Sequence, residues 1–477
     1  MKIAIIESVA SSPHIETAGE IALSLKKYND VSFFWAGYNL PWNDWELPFY
    51  LKLLGGSYNN KIKKFKKILS NQGIVIDEPI LNVDYDRIFR WSNSFNGNLK
   101  SLKKYKYDNS YLGAGAASSI ISYFKNEKVD IEKYNKEIKN LLLSSAIVYE
   151  RTKKYLKKNK IDKIYTFNNR FATCYPIICA ANSLKIKTIR HERGSKKNRY
   201  ELYDKDVHDL ELTKKNFDFY WKKNKNKNKL SSSKKFFYDK LKGINTNDTL
   251  SKSYISSQIK DHLPKLPKNK RIVTFFTSRD YEKASIVDME FDQIKIFKKF
   301  KKIVSNFKDI HLVIRVHPSL SKYKSYDDEE WMSFSNKNTT VIQSYEKHDT
   351  YSLLFRSDIV VTYTSSIIVE SAYFGIPSIS LGEFWWTGLK IAEEPKNFNN
   401  LNKMLSGKYK FRKSNKLNCM KIANYFLNYG IKFKYYSPKT FTRGKFLNEY
   451  ISWKPYYIIL LEKSGFINLI KKIISYI

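Results

Sequence analysis

Short apolar runs alternate with helical patterns from the first residues of this chain. Lys2–Glu7 is one such run, and a polar turn leads from it to a helix near Thr17–Lys27 and a second run at Val31–Ala36. A strand that opens a domain and passes through a loop into a helix is the usual start of a doubly wound sheet. From Trp42 to about Phe124 the pattern is irregular and aromatic, and near Asn135–Lys157 it becomes one long helix. Ile164–Phe167 and Thr188–Arg190 read as further strands flanking a helix that contains Cys179. Trp221–Lys235 then breaks the pattern. Its run KKNKNKNKLSSSKK has almost no apolar content and predicts an exposed loop or hinge. PKLPKNK at Pro264–Lys270 is a second break.

The next stretch is more regular. Ile272–Phe276, Leu312–Val316, Thr340–Ile342, Ile359–Thr362 and Ser378–Leu381 are short apolar strands, with helices between them at Ile286–Val304 and Ile367–Phe374. Strand–helix alternation at this spacing implies a parallel sheet with right-handed crossovers. Ligands of such sheets bind at the carboxyl ends of the strands, so the residues just after each strand are where chemistry is expected. At the far end, Ile458, Leu461, Phe466, Leu469, Ile470, Ile473, Ile474 and Ile477 recur at helical spacing, with Lys463, Lys471 and Lys472 on or near the opposite side. That is a basic amphipathic helix interrupted by Gly465, suited to packing on the first domain or to lying on an anionic leaflet.

Composition narrows the class. A chain of 477 residues is too long for one ordinary core and suits two α/β domains of about 200 residues each. Hydrophobic residues at 42% support globular folding. Tyr, Phe, Lys and Asn are abundant in the manner of an AT-rich coding sequence, so single aromatics and lysines are weak clues. The formal charge of +39 still favours polyanions: anionic headgroups, nucleotide phosphates, acidic glycans or nucleic acid. The lysines are spread along the chain without a nucleic-acid motif, and no nucleic-acid partner is expected. Three cysteines with no CxxC pair argue against a disulfide scaffold, and the scattered histidines indicate no zinc site. No apolar run is long enough to span a bilayer and the N-terminus enters a strand directly, so the expected location is cytoplasmic, with docking on the inner face of the membrane left open by the last helix.

Three loops of the second half carry candidate chemistry. Thr277-Ser278-Arg279 follows the strand ending at Phe276; small hydroxyl residues allow close approach to a phosphate, and an arginine adds a fork of donors. Arg315-Val316-His317-Pro318 ends the next strand, where Pro318 stops the ladder and His317 can donate to a phosphate oxygen or stabilise charge on a departing nucleotide. Thr364, Ser365 and Ser366 open a helix after the strand ending at Thr362, beside unpaired N–H groups and the positive end of the dipole. Glu370 lies one turn further on the same face and can accept from ribose hydroxyls.

The order and spacing of His317-Pro318 and Ser365-Ser366-x-x-x-Glu370 resemble those of bacterial capsule-polysaccharide transferases, including sialyl-, polysialyl- and Kdo-transferases that use CMP-activated donors. Teichoic-acid polyol-phosphate transferases look similar over the same stretch. The resemblance covers about Arg271–Gly382 and implies that His317, Pro318, Ser365 and Ser366 contact the donor nucleotide, with Glu370 nearby. It implies the GT-B fold: two doubly wound Rossmann-like domains facing each other across a cleft. The boundaries expected are an acceptor-side domain at 1–250, a nucleotide-donor domain at 251–436, and C-terminal helices at 437–477. No cofactor or metal is expected, since GT-B enzymes manage phosphate charge with helix ends and basic side chains. Asp84-Tyr-Asp86 and Asp204-Lys-Asp206 are read as incidental matches to a metal-binding DxD.

The first half resembles the same group more loosely. His14-Ile-Glu16 precedes the first helix, Asn168-Asn169-Arg170 follows one strand, and His191-Glu192-Arg193-Gly194 follows another. Glu192, Glu16 and His14, in that order, are candidates for the base that takes the acceptor proton, and Asn169, Arg170 and Arg193 for the acceptor side. Gly113-Ala-Gly115-Ala-Ala-Ser118-Ser119 either lines the acceptor side or packs helices closely. The expected function is transfer of a sugar from a nucleotide-sugar donor, CMP-sugar favoured, to a surface glycan or glycolipid. The rivals are a CDP-glycerol type polyol-phosphate transferase, a nucleotide-sugar epimerase, and a non-enzymatic basic protein binding nucleic acid or anionic surfaces.

Overall fold

The computed structural model describes residues 1–44, 58–244, 258–286, 292–322, 329–451 and 464–465. Apart from 464–465, the amphipathic stretch 458–477 lies outside the described residues. The chain divides into two compact units. The first comprises Met1–Tyr123, Lys128–Val207 and the chain from Gly430 onward, and the second comprises Phe124–Glu127 and His208–Tyr429. The sequence alone placed the divisions at 250 and 436.

In the first unit the elements run β1 (Lys2–Glu7), α1 (His14–Lys26), β2 (Asp30–Trp35), α2 (Tyr58–Asn71), β3 (Val75–Ile76), α3 (Tyr85–Asn93), α4 (Leu99–Lys103), α5 (Leu112–Phe124), α6 (Asn135–Asn159), β4 (Lys163–Phe167), α7 (Tyr175–Ser183), β5 (Lys187–Arg193) and β6 (Arg199–Tyr203). The second unit continues with α8 (Leu210–Lys223), α9 (Lys229–Leu241), β7 (Arg271–Phe276), α10 (Asp280–Ala284), α11 (Gln293–Val304), β8 (Ile310–Arg315), α12 (Glu329–Met332), β9 (Thr339–Ile342), α13 (Thr350–Arg356), β10 (Ile359–Thr362), α14 (Ile367–Phe374), β11 (Ser378–Ser380), α15 (Phe398–Leu405) and α16 (Lys416–Asn428). The chain then adds β12 (Ile431–Lys432), β13 (Tyr436–Thr440), β14 (Arg443–Phe446) and β15 (Glu449–Tyr450).

Both units are doubly wound, as expected. The first sheet has the order β12-β6-β5-β4-β1-β2-β3, parallel from β5 to β3 with β6 and β12 joined by antiparallel pairing at one edge. The second has the order β11-β10-β7-β8-β9 and is parallel throughout. β8 is buried at every position, and its centre Leu312–Ile314 reads as a continuous apolar run, as a strand covered on both faces does. In each sheet the strand order reverses beside the first strand, between β1 and β4 and between β7 and β10, and the crevice at such a reversal is where α/β sheets bind ligands.

Two expectations need correction. The basic break at Trp221–Lys235 is not one long loop: α8 extends to Lys223, α9 starts at Lys229, and only 224–228 turn. Asn224 and Asn226 accept from backbone N–H groups two residues on, at 3.0 and 2.8 Å, which makes the turn compact. The helix after it buries a narrow stripe, Ser233, Phe236 and Phe237, and Phe237 stacks on Tyr373 with ring centroids 3.9 Å apart. The aromatic stretch from Trp42 to Phe124 is also not irregular, for its described residues from 58 onward form α2–α5. Its buried residues Ile62, Phe65, Ile68 and Leu69 have helical spacing, hidden among lysines.

The segment after Gly430 is fastened to α1. Glu20 accepts the backbone N–H groups of Lys434 and Tyr435 at 2.7 Å and of Tyr436 at 3.1 Å. Phe446 packs on Phe65 and against Gly19, where a Cβ would stand 2.5 Å from the Phe446 ring. Glycine is required there because any side chain would displace the ring. Gly113 in α5 is tighter still, since its Cβ would meet the Leu102 carbonyl oxygen at 2.0 Å. Gly113–Ser119 is thus a buried helix start packed against backbone.

Candidate functional site

At the reversal in the second sheet the loops after β7, β8 and β10 are stitched together. Ser278 Oγ lies 3.0 Å from Thr364 Oγ1, joining the loops after β7 and β10, and Ser278 N–H donates to Gln293 Oε1 at 2.8 Å. Thr277 Oγ1 accepts the backbone N–H of His317 at 2.9 Å, joining the loops after β7 and β8. Ser365 N–H donates to Thr362 Oγ1 at 2.8 Å, which turns the chain from β10 into α14. The Ser366 side chain makes no capping hydrogen bond at the helix start, and Gly375 closes the helix in the left-handed conformation at φ 83°.

These loops enclose a cavity of about 80 Å³, the scale of a phosphate group rather than a whole nucleotide. Seven of the expected donor residues line it: Thr277, Arg315, His317, Pro318, Ser365, Ser366 and Glu370. Ser278 and Thr364 are buried and hold the loops from behind. Arg279 precedes α10 and pairs with Glu282 at 2.9 Å.

His317 is oriented by its neighbour. Its Nδ1 faces the backbone N–H of Ser319 at 3.3 Å and Ser319 Oγ at 2.8 Å. A backbone N–H only donates, so Nδ1 is the acceptor and a neutral ring carries its proton on Nε2. Burial pushes the imidazole down to about 3, helped by the charges of Arg279 and Arg315. At neutral pH the residue is therefore a fixed neutral donor.

Arg315 lines the cavity and also holds a neighbouring loop. Its guanidinium donates to the backbone carbonyls of Gln343, Glu346 and His348 at 2.7, 3.2 and 3.3 Å, pinning the loop after β9. Glu370 is buried and paired through Oε1 with Lys240 of α9, a residue the sequence pattern assigned to no site. Glu370 Oε2 is buried without a hydrogen-bond partner among the described residues.

The first unit gathers a second cluster at the carboxyl ends of β1, β4 and β5. Glu192 accepts from Asn168 Nδ2 at 2.6 Å and from the Arg193 N–H at 2.9 Å, and its side chain is 26% exposed. His14 Nδ1 lies 3.9 Å from Glu192 Oε1, and the His14 ring sits on Phe167 at 3.8 Å. Burial, with Arg193, His191 and Lys61 adding to it, holds His14 well below the usual imidazole range. Glu16 is buried, accepts from Ser12 Oγ at 2.5 Å and lies 3.4 Å from Lys61 Nζ. Asn169 donates to Asp206, and the Arg170 guanidinium lies 4.5 Å above the Phe171 ring. Arg193 reaches Phe441 at 5.9 Å.

Two members of this cluster, Glu7 and Lys61, were missed, and His191 was named only as part of its post-strand run. Glu7 and His191 form a buried pair at 2.7 Å, and burial raises the Glu7 carboxyl although His191 opposes the shift. Glu7 ends the first strand, and a charged residue at the carboxyl edge of an apolar run was the signal available. Lys61 projects from α2 out of a lysine-rich stretch and left no signal. Asp84 caps α3 by accepting the Arg87 N–H at 3.0 Å. No group of three metal-ligating side chains occurs among the described residues, nor does a helix long and apolar enough to cross a membrane.

No protein-family model matches the chain, and no curated protein matches it. Solved structures give distant likenesses. A beta Kdo 2,4 transferase, KpsC of Thermosulfurimonas dismutans, is 12% identical, with a TM-score of 0.38 over 55% of this chain and 79% of that one. UDP-GlcNAc 2-epimerase from Neisseria meningitidis, solved with UDP-GlcNAc bound, is 13% identical, with a TM-score of 0.28 over 90% and 96%. The Methanocaldococcus jannaschii UDP-GlcNAc 2-epimerase, in complex with UDP-GlcNAc and UDP, is 14% identical, with a TM-score of 0.26 over 88% and 98%. At these values none bears on the chemistry of the site.

Proposed function

We propose that the protein is a metal-independent glycosyltransferase that moves a sugar from a nucleotide-activated donor, with CMP-sugar favoured, to a surface polysaccharide or glycolipid. The observation that carries this reading is the convergence of three loops on one small cavity at the sheet reversal. His317 brings a neutral donor to it, and the start of α14 brings backbone N–H groups and hydroxyls. Such a cavity suits an oxyanion whose charge grows as a bond to it breaks.

In the reaction the acceptor hydroxyl oxygen bonds to the anomeric carbon and the bond from that carbon to the donor phosphate oxygen breaks. The bonding pair leaves with the nucleotide, where His317 Nε2–H and the α14 start stabilise it. The hydroxyl proton goes to a general base. Glu192 is assigned this role because it is the partly exposed carboxylate of its cluster and is held by two donors. Glu16 is buried against Lys61, and His14 is a neutral ring beside Glu192. Asn169, Arg170 and Arg193 remain the proposed acceptor-side residues.

A thermal-shift panel of free CMP, CDP, UMP, UDP and GDP tests the reading. The expected result is stabilisation, strongest with CMP. Strongest stabilisation by CDP would favour the polyol-phosphate transferase, and stabilisation by none would remove the donor site. Incubating a bound sugar nucleotide without acceptor separates an epimerase, which would convert it to its epimer.

A further inference from the structure

We propose that Lys240 is a ligand of the donor phosphate, with its ammonium bridging that phosphate and Glu370; the proposal rests on the donor-site reading above. Lys240 lies in the last turn of α9, a helix whose first half, as far as Lys235, reads in sequence as an exposed loop or hinge. The helix is bolted to α14, the same helix that opens at the cavity. Phe237 stacks on Tyr373 at 3.9 Å, and Tyr238 packs against Tyr373 and Phe374. That anchoring carries Lys240 Nζ to Glu370 Oε1, with the Phe236 ring 4.9 Å from the ammonium.

The electrostatics of the cavity give the ammonium its function. Two of the described residues lining it are permanent cations, Lys240 and Arg315, and the Arg315 guanidinium is engaged by three backbone carbonyls. His317 is neutral. Glu370, with a side chain only 4% exposed, places a carboxylate on the same wall, and alone it would repel a phosphate. Lys240, 31% exposed, compensates that carboxylate from the more open side. An ammonium has three donors, so it can hold a carboxylate oxygen and a phosphate oxygen at once. Glu370 Oε2, buried without a partner among the described residues, is then the atom offered to a ribose hydroxyl.

A purely structural ion pair predicts something different, and calorimetric titration separates the two. CMP, UMP, UDP and GDP are each compared with the parent nucleoside, using wild type, Lys240→Met, Lys240→Arg, Glu370→Gln and the double variant Lys240→Met/Glu370→Gln. The double variant leaves no uncompensated buried carboxylate, so it remains folded even if Lys240→Met does not. Relative to Glu370→Gln, it should bind the nucleotide about tenfold or more weakly and the nucleoside equally well. Lys240→Arg should keep most of the nucleotide affinity. Equal weakening of nucleotide and nucleoside, or no change in either, overturns the role of Lys240. Wild type binding none of these four nucleotides, nor CDP, overturns the donor-site reading itself, and the Lys240 assignment with it.

Discussion

The backbone N–H of Ser319 points at Nδ1 of His317, 3.3 Å away, so a residue two positions along the chain decides which nitrogen of the imidazole carries the proton. The ring then presents Nε2–H as a donor and has no need to titrate. Replacing His317 by Ala should cut turnover of the donor about a hundredfold, the loss typical of one transition-state donor, while the circular dichroism and melting temperature stay near wild type. Turnover close to wild type would remove His317 from the site.

The same ring sets a pH dependence of stability. Its folded value is about 3 against an ordinary 6.5, so below about pH 6.5 the unfolded chain binds a proton that the folded chain refuses. Its contribution is complete above that pH and is lost progressively down to about 3. His14 is shifted the same way by burial. Melting temperatures measured from pH 7 to pH 4 should fall, and His317→Gln should make the decline shallower. An unchanged slope in that variant would mean that the imidazole is not held neutral.

Glu192→Gln should lower turnover about a hundredfold or more, because it removes the base and keeps the shape. Nucleotide affinity should be unchanged. If the variant turns over normally, His14 and Glu16 become the residues to replace.

Most of the second unit was legible in sequence because its strands are buried on both faces, and a run such as Leu312–Val316 was read as the strand that the structure places at Ile310–Arg315. Seven of the ten residues named for the donor side line one cavity, because the carboxyl edge of a parallel sheet faces one way and the loops there must meet. Side-chain partners could not be named. That Arg315 reaches the carbonyls of the next loop, or that Lys240 reaches Glu370 across 130 residues of chain, depends on packing between distant elements. The α9 helix was hidden because its buried stripe is one serine and two phenylalanines among lysines. The anchoring of the Gly430 segment on α1 was equally silent, since Glu20 looks like any helix-surface glutamate until three amides are found on it.

That anchoring makes its own prediction. Glu20→Ala strands three amides, and losing even part of their pairing should cost about 2 kcal/mol. Hydrogen exchange should accelerate at Lys434, Tyr435 and Tyr436 well before the sheet core exchanges. Unchanged protection at those amides would show that other contacts hold the segment.

Gly113→Ala separates packing from ligand binding in the first unit. An added methyl 2.0 Å from the Leu102 oxygen must push backbone aside, so the melting temperature should fall, with a loss of about 1–3 kcal/mol. Nucleotide affinity in the folded fraction should remain that of wild type. A selective loss of nucleotide affinity would instead give the glycine a role in binding.

Crystals grown with CMP test the central claim most directly. Difference density should place the phosphate in the cavity at the sheet reversal, about 3 Å from His317 Nε2 and against the backbone at Ser365–Ser366. CMP bound at any other place, or only solvent in that cavity at saturating nucleotide, would contradict it.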